Sequence, residues 1–488
     1  MAVGTDEVGA DLRGALKLAL AATFLVGTAC ARTTAPAKAE STTLRIGFGS
    51  TQGQNTETGL RQQLSLMERE GLLSLARDGQ PQAWLADHWT SAPDGLTWRL
   101  QLRSNVKFHN GKPLTADTLA RFLSDQLPRY MGPLWEDVSA IRAVSEHELE
   151  FALKSRSRFL MESLDIPIEE PESHSATGAF QVTSAGDSFE LRANKDYYDG
   201  TALVDRIVVK TYASTRAAWA DLLRGEVDML YEVGIDALDS LQPSNDVKIF
   251  TQQRSYAYLL LLNVHKKDLT ESTIRRQLNE AIDRDSLIAE ALRGHGRPAD
   301  GPVWPSNWAY DAQLPKFVYR PVPLKSPFVL TCLFDASLER LAITTQKQLA
   351  AIGVELKLEL MPLDKIVERV QTGDFEAILA DANGGPTMFR AYRFWHSGAP
   401  LNWGKYSNPK VDNALDSIRH AADDDAYRAG VAAFQRAIVD DPPAIFLAWS
   451  ERARAVSTRF DVPVEPGRDI LSTLRLWRPV GEPRAAHN

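Results

Sequence analysis

Between Leu338 and Leu360 the spacing of apolar residues changes period. Leu338, Leu341, Thr345, Leu349 and Ile352 recur at helical spacing, Gly353 stops the pattern, and Val354, Leu356, Leu358 and Leu360 then alternate with charged residues. The first stretch predicts a helix with one apolar stripe, the second a strand with one buried and one wet face. A chain that repeats this succession buries both kinds of apolar face by packing helices on a sheet, so an α/β fold of mixed sheets with flanking helices is expected. The succession does repeat. Trp98, Leu100 and Leu102 alternate as a half-buried strand, Asn110-Gly111 is a tight-turn dipeptide, and Thr115 is placed to cap a helix starting at Ala116. A stripe of Trp219, Leu222 and Leu223 ends at Gly225, before a strand at Val227–Leu230. Tyr258 to Asn263 is a continuous apolar run, expected as a strand covered on both faces. Ile274, Leu278, Ala281 and Ile282 predict a helix, and Asp285 is read as the cap of the next, which closes at Gly294. Two further amphipathic helices run through Val411–Ile418 and Tyr427–Ile438, the second broken by Asp441-Pro442-Pro443, and a strand follows from Ala444 to Trp449.

The 488 residues carry a net charge of −8, so the chain has no basic footprint for nucleic acid. The phosphate-cradling, zinc-protease, nucleophile-elbow and Cys-x-x-Cys motifs are all missing from the sequence, and the nine histidines have no metal-ligand spacing. Neither an enzyme nor a cofactor or metal is implied. Leu18 to Ala29 is a 12-residue apolar run behind Arg13 and Lys17, too short for a bilayer span and suited to a signal-peptide core. Two processing readings compete: Gly27-Thr28-Ala29-Cys30 approximates a lipoprotein box, with lipidation at Cys30, and Ala37-Lys38-Ala39 fits a small-x-small peptidase site. The other cysteine, Cys332, sits in the apolar run Phe328–Phe334 and reads as a buried strand residue.

Several segments together resemble the family 5 extracellular solute-binding proteins. They are Leu96–Leu119; Pro81 to Trp89 before the Asp94-Gly95 turn; Ala176-Thr177-Gly178-Ala179-Phe180; Arg192 to Tyr198; Gly225-Glu226-Val227-Asp228; Ile274 to Arg284; Gly301 to Pro305; and Asn402 to Asp412. The resemblance implies a type II periplasmic-binding-protein fold with two lobes and an extra subdomain in the first. Residues 1–39 would be the targeting segment, 40–253 the first lobe, 254–443 the second, and 444–488 the return to the first. It also implies a monomer that captures a short peptide or peptide-like solute between the lobes and delivers it to the permease of an ABC importer. Such a protein works outside the cytoplasm, periplasmic or lipid-anchored to the membrane's outer face. Nickel-chelate and sugar ligands stay open within the family. From other classes, an exported α/β hydrolase and a cytoplasmic sensor bearing a DNA-binding domain remain rivals.

Ligand capture needs apolar walls and a few fixed polar groups. In peptide-binding members of the family an aspartate holds the ligand's amino group, and Asp381, with Asn383 beside it, falls at the matching loop. Phe48, Ser50 and Thr51 follow the opening strand and are expected to face the cleft; Tyr256 shares a strand face with Tyr258 at the expected hinge crossing. Arg390 and Arg393, among aromatics, could grip a carboxylate, and Asn402 and Trp403 could line the cleft. Fusing residues 1–43 to a secreted reporter should carry it out of the cytoplasm; retention inside would favour the sensor.

Overall fold

Two long antiparallel strands, Val247–Leu262 and Ala444–Ser457, lie at the centre of an 11-stranded mixed sheet. Their ladder runs from Val247 opposite Ser457 to Gln253 opposite Glu451, breaks, and resumes from Ala257 opposite Trp449. Before the break, strand Ala444–Ser457 is flanked by Met229–Leu230, then by Thr43–Gly49, Arg206–Tyr212, Ser188–Ala193 and Phe180–Ala185. Beyond it, Val247–Leu262 pairs with Ala377–Asn383, followed by Phe328–Phe334 and Val354–Leu360. The sheet therefore exchanges its neighbours across residues 253–257. The computed structural model describes residues 42–49, 60, 64–65, 67–185, 188–235, 238 and 244–481, all within the compact unit Ser41–Asn488. Cys30 and the targeting segment lie outside the described residues.

Strand Ala444–Ser457 is buried along almost its whole length, and the segment Ile274–Arg284 explains how its start is held. Asn279 Nδ2 donates to the Ala444 carbonyl at 2.9 Å and its Oδ1 accepts from the Phe446 N–H at 3.1 Å. Arg284 Nε donates to the Ala299 and Phe446 carbonyls at 2.9 and 3.0 Å, and Arg275 donates to the Pro442 carbonyl at 2.9 Å and pairs with Asp441. These buried polar side chains satisfy backbone groups where the chain turns out of helix Asp424–Asp440. Burial pushes the Arg284 guanidinium down to about 10. The cap of the helix Arg284–Leu292 is Asp283, which accepts from the Ser286 N–H, and not Asp285. Starting the helix at residue 284 is what turns Arg284 inward.

Thr115 caps helix Ala116–Met131 as expected, accepting from the Thr118 N–H. That helix covers a separate four-stranded antiparallel sheet, Ala86–Ser91, Thr97–Leu102, Glu148–Leu153 and Val138–Ser145. Its apolar core is continuous with that of residues 388–449. Buried polar contacts stitch the two together. Arg419 donates to both Asp137 oxygens at 2.7 Å, and Glu162 accepts from the Tyr427 hydroxyl at 2.6 Å and the Phe389 N–H at 2.8 Å. Breaking such a buried ion pair from one side leaves an uncompensated charge and costs several kcal/mol.

Strand Val354–Leu360 follows its helix, Glu339–Ala350, and buries Val354 and Leu356 while Glu355 and Lys357 face water. Its last residue, Leu360, is exposed, because the strand has run past the helix that covers its apolar face. Cys332 is fully buried, and burial pushes its thiol up to about 12. No helix among the described residues is long and apolar enough to cross a membrane.

Burial raises the Glu162 carboxyl from 4.5 to about 7, against the opposing pull of its two hydrogen-bond donors. The folded state then holds a proton that the unfolded state has lost between those values. Stability from this group is complete below the unfolded pKa and disappears as pH rises through the folded one. Between pH 5 and 8 the wild type should lose roughly 2–3 kcal/mol more stability than Glu162→Gln. Urea denaturation across that range measures the difference, and parallel curves would disprove it.

Candidate functional site

Where the sheet exchanges neighbours, alternation brings Arg254, Tyr256 and Tyr258 to one face of strand Val247–Leu262. Tyr256 pairs with Asn383 and Tyr258 with Asp381 on the adjacent strand. Arg254 donates to Asp381 Oδ2 at 3.3 Å while its guanidinium lies 3.8 Å from the Tyr256 ring centroid. Asp381 keeps 30% of its side-chain surface open. Crowding by protein nonetheless raises its pKa through desolvation, with Arg254 and Arg452 opposing and Glu232 reinforcing. An accessible carboxyl in dense surroundings is what a cleft wall presents. Across from it, Arg452 on strand Ala444–Ser457 stands 3.7 Å from Glu232.

The opening strand contributes Phe48, whose ring centroid lies 5.1 Å from that of Tyr231. Arg454, held by Asp469 at 2.6 Å, lies 4.2 Å from the same Tyr231 ring. Burial would raise the Asp469 carboxyl, but Arg454 outweighs it and the pKa falls. Gly49 passes so close to Thr215 that a Cβ would sit 2.5 Å from its Cα. Ser50 and Thr51, the next expected cleft residues, lie outside the described residues.

After Asn383 the chain turns. Asn383 Oδ1 accepts from the Gly385 N–H at 3.0 Å, so its side chain shapes the turn. Gly385 has φ +61°, and a Cβ there would lie 2.2 Å from Arg390 Cδ. Only glycine lets Arg390 run past to Asp165, at 3.1 Å, and the Tyr130 hydroxyl, at 3.3 Å. Arg393 lies 5.3 and 5.8 Å from the Tyr130 and Phe389 ring centroids. Its Nε is buried without a partner, and burial lowers its pKa. Unlike Arg390, it has no carboxylate within ion-pair distance among the described residues.

Asn402 and Trp403 divide. Asn402 donates to the carbonyls of His396, Ser397 and Tyr406 and accepts from the Tyr406 N–H at 2.9 Å, which commits it to holding its own loop. Trp403 is 38% exposed, edge-on to Phe394. The structure brings Tyr256 and Asp381 together with Arg254, sets Arg390 on Tyr130 and Asp165 and Arg393 over Tyr130, and places Phe48 on Tyr231; the sequence did not single out Tyr130, Asp165, Glu232, Arg254 or Arg452. Arg254 carried a signal, since it stands two positions before Tyr256 on an alternating strand. Asp165 carried none.

Two cavities lie apart from these side chains. One is an open depression of about 540 Å³ bounded by Glu136, Asp137, Ser155, Arg156, Arg419 and His420. The other is a void of about 20 Å³ between residues 300–316 and Gln435–Val439, floored by Trp449. Among the described residues no His, Cys, Asp or Glu cluster could hold a metal ion.

Residues 80–402 match the model of the bacterial extracellular solute-binding proteins, family 5 Middle. The oligopeptide-binding protein AppA of Bacillus subtilis is 24% identical over 80% of this chain and 83% of its own length. The probable D,D-dipeptide-binding periplasmic protein DdpA of Escherichia coli is 24% identical over 74% and 78%. In three dimensions the chain resembles AppA of B. subtilis in complex with a nonapeptide, with TM-score 0.75, 22% identity and coverage of 90% and 99%. It equally resembles NikZ of Campylobacter jejuni in complex with Ni(L-His), with TM-score 0.76, 17% identity and coverage of 89% and 99%. These structures establish the periplasmic-binding-protein fold.

Asn402→Ala should cost about 2 kcal/mol of stability through its unsatisfied loop carbonyls and N–H, and leave ligand affinity unchanged. Urea denaturation and calorimetric titration test the two halves; a large affinity loss at intact stability would return Asn402 to the site.

Proposed function

We propose a function for a chain that belongs to the family 5 bacterial extracellular solute-binding proteins: it captures a short peptide or peptide-like solute outside the cytoplasm and hands it to the permease of an ABC importer. The observation that carries this reading is the gathering of aromatic rings and charged side chains, Tyr256, Asp381, Arg390 and Arg393 foremost, at the crossing where the central sheet exchanges neighbours. Residues 40–253 with 444–488 form one lobe in this reading and 254–443 the other, hinged at residues 253–257 and near 444. Closing the lobes on a solute requires that the closed form bind it more tightly than the open form does.

Within the cleft Tyr256, Phe48 and the rim residue Trp403 supply apolar walls. Arg393 is the group best suited to a ligand carboxylate, because its guanidinium is half-buried and has an orphaned Nε. The peptide names attached to AppA and DdpA favour a peptide over a nickel chelate. The protein works as a monomer, periplasmic or tethered through Cys30.

Thermal-shift screening of residues 40–488 against di- to nonapeptides should raise the melting temperature, because a hundredfold excess over Kd adds about 2.7 kcal/mol of stability. A shift with nickel–histidine or sugars and none with peptides would reassign the ligand within the family.

A further inference from the structure

We propose that Arg254 is a resident cation that fills the place beside Asp381 where a ligand's ammonium would sit, and so sets the charge selectivity of the cleft against solutes with a free amino group. The inference rests on the cleft assignment above and narrows it.

Three observations converge. First, Arg254 is not a surface cation that happens to approach an acid. Its side chain is largely buried, one face covers the Tyr256 ring at 3.8 Å, and its Nη1 reaches Asp381 at 3.3 Å. Tyr256 thus fixes the guanidinium while Asp381 receives it. Second, the neighbouring acids are also taken: Glu232 by Arg452 at 3.7 Å, Asp165 by Arg390 at 3.1 Å, and Asp469 by Arg454 at 2.6 Å. Third, among the described residues Arg393, against Tyr130 and Phe389, has no carboxylate within ion-pair distance, so it remains available to an anionic group.

An incoming ammonium would have to displace Arg254 from Asp381 Oδ2 and the Tyr256 ring, or take Oδ1 and meet like-charge repulsion from the guanidinium already beside it. The exchange replaces one ion pair by another and forfeits the guanidinium–ring contact, so it brings little net attraction. A solute without a free amine can leave the pair intact and offer a carboxylate to Arg393. Arg254 is thereby a specificity-determining residue.

The test has two arms. The first needs no knowledge of the natural ligand. Arg254→Ala leaves a vacant space between Tyr256 and Asp381, and ethylguanidinium should raise its melting temperature in a saturable manner. Wild type and Arg254→Ala/Asp381→Asn should not respond this way. An equal response in wild type, or none in Arg254→Ala, overturns the proposal; Arg254→Gly with n-propylguanidinium serves if the alanine variant does not fold. The second arm compares trialanine with N-acetyl-trialanine by calorimetric titration. Wild type should bind the two within threefold or prefer the acetylated peptide, whereas Arg254→Gln should prefer the free amine by tenfold or more. A tenfold preference for the free amine in wild type would sink the inference while leaving peptide capture standing. If neither protein binds either peptide, the peptide reading fails and the guanidinium arm still decides the role of Arg254.

Discussion

The fold hangs on the antiparallel ladder between Val247–Leu262 and Ala444–Ser457, and the ladder depends on a buried polar clamp. A strand buried on both faces must be met by hydrogen-bond partners at its start, because no water reaches it there. Asn279, Arg275 and Arg284 meet that demand from a helix pair far away in sequence. Once the start of the strand is fixed, its register with Val247–Leu262 follows, and so does the position of the break across residues 253–257. The candidate site inherits its geometry from that break: it is where the strand carrying Arg254 and Tyr256, still paired with Ala444–Ser457 beyond it, takes up Ala377–Asn383 on its other edge.

A second constraint acts away from the cleft. The small four-stranded sheet and its helix share a core with residues 388–449, and the junction is lined with charge: Asp137 with Arg419, Asp165 with Arg390, Glu162 between Tyr427 and Phe389. Apolar packing supplies the bulk of the adhesion, while the paired charges tolerate few relative orientations. Arg390 belongs to both systems, since its Asp165 contact ties the small sheet to the turn that follows Asn383.

Local chemistry was legible in the sequence and long-range pairing was not. The Thr115 cap, the stop at Asp441-Pro442-Pro443 and the change of period near Gly353 were readable because each is decided by a few adjacent residues. Asp285 was misread for Asp283 because both aspartates fit a capping position, and only the burial of Arg284 selects between them. Phe48, Tyr256 and Asp381 stood out by their strands and by family likeness, whereas Tyr130, Asp165 and Glu232 did not. Arg254 hid in the polar stretch Thr251–Ser255, and its partner Asp381 lies 127 positions away. Asn402 looked available for a ligand for the opposite reason: the carbonyls it serves come from a loop whose closure no periodicity announces.

Cys332 has a practical consequence. It is the sole cysteine beyond residue 30, and it is sealed in a strand with its thiolate strongly disfavoured. Thiol reagents attack the thiolate, so this sulfur is inert while the fold holds. A polypeptide beginning at residue 40 is thus chemically silent toward maleimides without any engineering. One cysteine placed at the solvent-facing rim would accept a single fluorophore, and its emission would then report on the surroundings of that one point.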